Sequence, residues 1–152
     1  MPIHPVPRAP GQAAPDRGSD VVAGLVHDGH TAAVAEAAVR EAARRGSRVR
    51  FLQVLPRGLS EEAHANVETA LFGIAVDALR AAPHLACTFE SVVGTPAETL
   101  VEETRRADLL VLGADDPAAV VRVAEHCQAH CVCEVMVVAD AGSDRAPLSA
   151  RA

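Results

Sequence analysis

The chain has 152 residues, the length of one ordinary domain, and 49% hydrophobic against 22% charged residues suits a packed core. No apolar run approaches the ~20 residues of a membrane-spanning helix. A net charge of −6 with 2% aromatics argues against nucleic-acid binding by charge or by stacking, and the complete lack of lysine excludes Schiff-base and P-loop lysine chemistry.

The first stretch, residues 1–19, carries Pro2, Pro5, Pro7, Pro10 and Pro15 and reads as a disordered proline-rich arm with no secretory h-region. Four cysteines without such a signal point to reduced thiols and a cytoplasmic setting. Val21 to Val26 is an apolar run suited to a strand buried on both faces. Thr31 to Arg45 has helical spacing, and Gly46 supplies the stop. Arg48 to Leu55 is the second strand, ended by Pro56. Ser60, followed by Glu61 and Glu62, caps a helix running to about Ala82. Ala86 to Val93 is the third strand.

Thr95-Pro96-Ala97-Glu98 reads as a capping box with proline at the first helical position, opening a helix that reaches Arg106. Asp108 to Gly113 is a fourth strand. Asp116-Pro117 opens a fourth helix to about His130, and Cys133 to Ala139 is the fifth strand. Ala141 to Ala152 reads as a flexible tail beyond a single domain over residues 20–140. Unalternated apolar strands separated by helices predict an α/β fold: a doubly wound parallel five-stranded sheet, ordered 3-2-1-4-5, with helices on both faces. In such sheets ligands bind beyond the carboxyl ends of the strands where the winding reverses, here between the first and fourth. The loops Val26 to Thr31 and Gly113 to Pro117 are therefore the candidate site.

The first loop holds His27, Asp28 and His30; the second holds Asp115 and Asp116. Three carboxylates make a poor phosphate cradle, because they repel an anion and offer few glycine-exposed amides. They suit a cation better, with His27 or His30 as further ligands. The simpler reading, and the preferred one, makes Asp116 a helix N-cap and the others solvated loop residues. A phosphoacceptor pocket of the response-regulator kind lacks its lysine and is dropped.

His126-Cys127-Gln128-Ala129-His130-Cys131-Val132-Cys133 is a second constellation. Cys127 and Cys131 share one helical face, with His126 and His130 about 100° round. Thiolate and imidazole ligate soft metals, but no second distant pair completes a finger or ribbon, so buried structural thiols are preferred. Cys87 reads as core. Arg40, Arg44, Arg45, Arg48 and Arg50 read as a solvated helix end. Ser60, Ser91 and Ser143 have no nucleophile-elbow context, so the chain is not read as an enzyme.

Five stretches together resemble the universal stress protein family. They are Val21-Val22-Ala23-Gly24-Leu25; Arg50-Phe51-Leu52-Gln53-Val54-Leu55-Pro56; Val93-Gly94-Thr95-Pro96-Ala97-Glu98-Thr99-Leu100-Val101; Ala107-Asp108-Leu109-Leu110-Val111-Leu112-Gly113; and Cys131 to Val138, with Glu134 where a proline is usual. The likeness spans about Asp20 to Ala139. It implies a doubly wound sandwich, a role in stress survival and a homodimer joined through the last strand.

Many members of that family bind ATP through an aspartate after the first strand, a glycine ending the fourth, a second glycine three on, and a later glycine-hydroxyl pair. Here Val26 takes the aspartate position with Asp28 nearby, and Gly113 matches the first glycine. Asp116 replaces the second glycine, while His126-Cys127, or Val121-Arg122 counted back from the last strand, replace the pair. An aspartate facing a triphosphate adds repulsion and removes a permissive backbone position, so no tight ATP binding and no other cofactor is expected. The expected function is a non-ATP-binding homodimeric regulatory module, paired antiparallel through Cys133 to Val138, an apolar sheet edge. Two alternatives stay open. One is an adenine-nucleotide switch (ATP or AMP, weakly held) with a degenerate pocket at Val26, Asp28, Val54, Gly113 and Asp116; the other is a metal or thiol sensor.

Overall fold

A computed structural model describes residues 20–26 and 30–139, with Val26 described through its backbone alone. The arm at 1–19, the tail at 141–152, and His27 and Asp28 of the candidate site lie outside the described residues. The elements alternate as expected: β1 (Asp20–Val26), α1 (Thr31–Arg45), β2 (Arg48–Leu55), α2 (Glu61–Leu79), β3 (Cys87–Val93), α3 (Pro96–Glu103), β4 (Leu109–Gly113), α4 (Val123–His130) and β5 (Glu134–Val138). All pairings are parallel and the sheet order is β3-β2-β1-β4-β5. The doubly wound architecture read from the apolar runs is therefore the one observed.

Two local signals act as expected. Gly46 ends α1 at φ 67°, a left-handed position that costs a glycine little, and its N–H returns to the carbonyls of Ala42 and Ala43. Ser60 caps α2 by accepting from the Ala63 N–H at 3.1 Å. A third signal misleads. Thr95 stands at the N-cap of α3 but its hydroxyl makes no capping bond; its carbonyl accepts from Thr99 and Pro96 sets the helix direction. The α2 and α3 helices also stop short of Ala82 and Arg106, because single turns carry the chain onward from Leu79 and Thr104.

Successive residues along each strand feed opposite faces of the sheet. On one face, Val21, Ala23, Leu25, Val49, Phe51, Leu109 and Val111 pack under α1 and α2. Alanines dominate the buried stripe of α1, letting that helix lie close to the sheet. All three phenylalanines join here: Phe89 meets Phe72 edge-on at 5.1 Å and Phe51 at 6.4 Å between ring centroids. On the other face, Val22, Leu52, Val54, Leu110 and Leu112 pack under α3 and α4, with Leu100, Ala124 and Cys127 supplied by the helices.

The arginines near the end of α1 are not one solvated group. Arg44 and Arg45 pair with Glu41, and Arg45 also reaches Glu134 and Asp108. Arg50 lies in β2 beneath α3, only 5% exposed. It binds Glu90 through two bonds of 2.9 Å, and donates to the Glu103 carboxylate and to the Glu103 carbonyl at the end of α3. Burial opposes its charge, but the two carboxylates outweigh that and hold its pKa above the usual arginine value. Among the described residues, no helix is long and apolar enough to cross a membrane.

Candidate functional site

The winding reverses between β1 and β4, so the crevice opens above Val26 and Gly113. The backbone of Val26 sits beside Val54 in register. The Val54 side chain is fully buried on the α3–α4 face with Val22 and Leu52, so it forms floor rather than rim. Gly113 ends β4 with its site covered: a Cβ there would stand 2.6 Å from the Cβ of His30 and 2.9 Å from its Cγ. Glycine at this position is what lets the first residue before α1 close over the end of β4. His30 is the N-cap residue of α1, though its side chain makes no capping bond.

The β4–α4 connection departs from the sequence reading. Helix α4 begins at Val123, not at Asp116-Pro117, and Arg122 stands at its N-cap without a side-chain cap. Asp116 instead holds an isolated turn, accepting the Ala118 N–H on its carboxylate at 3.0 Å and the Ala119 N–H on its carbonyl. An Asp-Pro pair starts turns as readily as helices, and here the following residues leave the helical path. Val120 and Val121 are strongly exposed in that path, at 97% and 62%.

Asp115 supplies the cap that Asp116 was expected to make. One of its carboxylate oxygens accepts from the Ala124 N–H and the other from the Glu125 N–H, both at 2.9 Å. A carboxylate satisfying two of the first amides of a helix is well matched to the positive end of the helix dipole. Those amides are also the donors a bound anion would use. Sequence reasoning placed Asp115 in the crevice but missed this role, because its partners lie nine and ten residues along the chain, whereas N-cap rules look two or three ahead.

The thiol-imidazole segment is only partly what its spacing implied. His126 and His130 do share a face, with rings stacked 4.2 Å apart. Cys127 is buried in the α3–α4 core; burial, reinforced by Cys131, pushes its thiol up to about 12. Cys131, Cys133 and Cys87 are half-buried, and burial raises the thiols of Cys133 and Cys87. Among the described residues, no group of three or more His, Cys, Asp or Glu side chains is arranged to hold a metal ion.

The sequence model of the Universal stress protein family matches residues 20–139. No curated protein matches the chain. Among solved structures, a universal stress protein in complex with cAMP has a TM-score of 0.63 at 20% identity, covering 80% of this chain and 97% of its own. The universal stress protein from Archaeoglobus fulgidus in complex with dAMP has a TM-score of 0.59 at 18% identity, with 80% and 97% covered. A universal stress protein family protein from Arabidopsis thaliana with AMP bound has a TM-score of 0.57 at 17% identity, with 83% and 94% covered.

Proposed function

We propose, from the premise that this chain belongs to the universal stress protein family, that it is a homodimeric regulatory or stress-response binding module of the cytoplasm that works without ATP and is not an enzyme. The observation that carries this reading is Asp115 lying across the start of α4. A phosphate entering there must displace a negative group already bonded to two amides, and face Asp116 as well. His30 over Gly113 narrows the same approach.

The dimer rests on the sheet edge. Among the described residues β5 pairs with β4 alone, leaving its other side open, and Val137 is 36% exposed there. Open apolar edges favour pairing with another strand, and an antiparallel partner β5 would place Met136 and its neighbours in the seam.

A second reading has its own support: the three relatives above hold cAMP, dAMP and AMP. On that reading the positions of Val26, Asp28, Val54, Gly113 and Asp116 form a degenerate adenine-nucleotide pocket. Isothermal titration with ATP, AMP and cAMP, run beside light scattering at micromolar protein, separates the two. The expected result is a dimer with no saturable heat. Micromolar affinity, with a rise in melting temperature, establishes the nucleotide switch instead; a monomer removes the edge-paired dimer.

A further inference from the structure

Three of the four cysteines gather where α4 meets β5, packed on the α3–α4 face of the sheet. Thr104, fully buried, gives its hydroxyl proton to the Leu100 carbonyl at 2.7 Å, which leaves its oxygen lone pairs as acceptors. The Cys131 sulfur lies 3.6 Å from that oxygen, and Cys131 and Cys133 both pack against the apolar cluster that contains Cys127. Two side chains one residue apart that pack on the same cluster lie on the same side of the chain.

The chain bends at Val132 and Cys133 after leaving the helix at Cys131, whose ψ is 144°. Residues two apart along a chain have Cα atoms at most about 7 Å apart, which overlaps the roughly 4.4–6.8 Å that a disulfide spans. Access differs across the cluster. Cys127 is fully buried and faces the Ala97 carbonyl, whereas Cys131 and Cys133 are half-buried and flank Val132, which is 78% exposed.

We propose that Cys131 and Cys133 are a reversible redox pair, oxidised by a hydroperoxide and reduced by a dithiol. The Cys131 thiolate attacks one peroxide oxygen; the O–O bond breaks, the other oxygen leaves with the thiol proton as alcohol or water, and Cys131 becomes a sulfenic acid. The Cys133 thiolate then attacks the Cys131 sulfur. An S–S bond forms as the S–O bond breaks, and hydroxide leaves with the Cys133 proton as water. Two thiols lose two electrons in all, and the peroxide gains them. A dithiol reverses this by exchange through a mixed disulfide, becoming a disulfide itself. The short ring enclosing one residue is strained, which favours a labile, regulatory bond over a structural one. Cys127 takes no part: burial keeps it protonated and out of reach.

The full chain, reduced and then treated with stoichiometric hydrogen peroxide, tests this by intact mass and thiol titration. The mass should fall by two hydrogens and titratable thiols from four to two, with dithiothreitol restoring both. C127S should behave as the parent chain. C133S should stop at a sulfenic acid that dimedone traps on Cys131, and C131S should react at least about tenfold more slowly. Mapping dimedone in the parent chain locates the first oxidised sulfur even where C131S fails to fold. A disulfide that still forms in C133S, dimedone on Cys127 or Cys133, chains crosslinked to one another, or stepwise gain of oxygen without thiol pairing would each overturn the proposal.

Discussion

The two faces of the sheet are held by different means. Under α1 and α2, helices of 15 and 19 residues, the packing is mainly apolar: small alanines from α1, leucine and alanine from α2, and the phenylalanine cluster between, with buried Gln53 accepting from Ser91 at 3.1 Å. Under α3 and α4, of eight residues each, the apolar contact is smaller and polar ties sit at the helix ends. Arg50 meets the last carbonyl of α3, Thr104 turns back onto Leu100, and Asp115 meets the first amides of α4. Short helices have few buried side chains to anchor them and a larger share of unsatisfied backbone groups at their ends. The face that borders the crevice is thus the one whose geometry depends on individual charged groups.

That contrast can be broken first on the apolar side. Phe51→Ala removes the β2 ring that packs beside Phe89 of β3 and should cost about 4 kcal/mol in urea unfolding, with the α3–α4 ties intact. On the tied side, Arg50→Met strands Glu90 and Glu103 beside each other and should cost about 3 kcal/mol. Replacing the two glutamates by glutamine in the same chain should recover part of that loss; an unchanged loss would mean that packing of the arginine stem, not charge, is what matters. A third test is alkaline titration. The Cys127 proton is held to about 12 in the folded chain, but a cysteine in the unfolded chain ionises near its ordinary value of 9.0. The stability this contributes is present below pH 9 and lost as pH rises toward 12, by up to about tenfold in the folding equilibrium per pH unit. Cys127→Ala should flatten that slope. Smallest is the loss of one cap: Asp115→Ala should cost about 1 kcal/mol, with Asp115→Asn keeping part of it, as read from melting temperature.

The same division decides what could be read from sequence. Strands such as Val21 to Val26 and Leu109 to Gly113 announce themselves as apolar runs, and alternation with helices and right-handed connections narrow the sheet to a few parallel orders, of which 3-2-1-4-5 is the one observed. Gly46 and Ser60 are legible because their partners lie within four residues. The ties are not. Arg50 finds Glu90 and Glu103 at separations of 40 and 53 residues, so from sequence it joined the arginines at the end of α1. Asp116-Pro117 carries the same local signal as a helix start, and only the Asp115 bonds to Ala124 and Glu125 show that the helix opens later. The place of the candidate site follows from topology alone, while the contacts at its loops had to be seen.

Because β1 lies between β2 and β4, the first-made strand gains its second neighbour only after β2 and β3 have been made. During synthesis β1, β2 and β3 emerge in succession and assemble side by side, but β4 follows only after residue 108. Until then the free side of β1, along Val21, Val22, Ala23 and Leu25, is an unpaired apolar edge, and α4 is not yet made to cover the face of Val22. A nascent chain stalled in that interval offers other strands an edge to join, so slow translation or truncation before β4 favours aggregation over a stable half-domain.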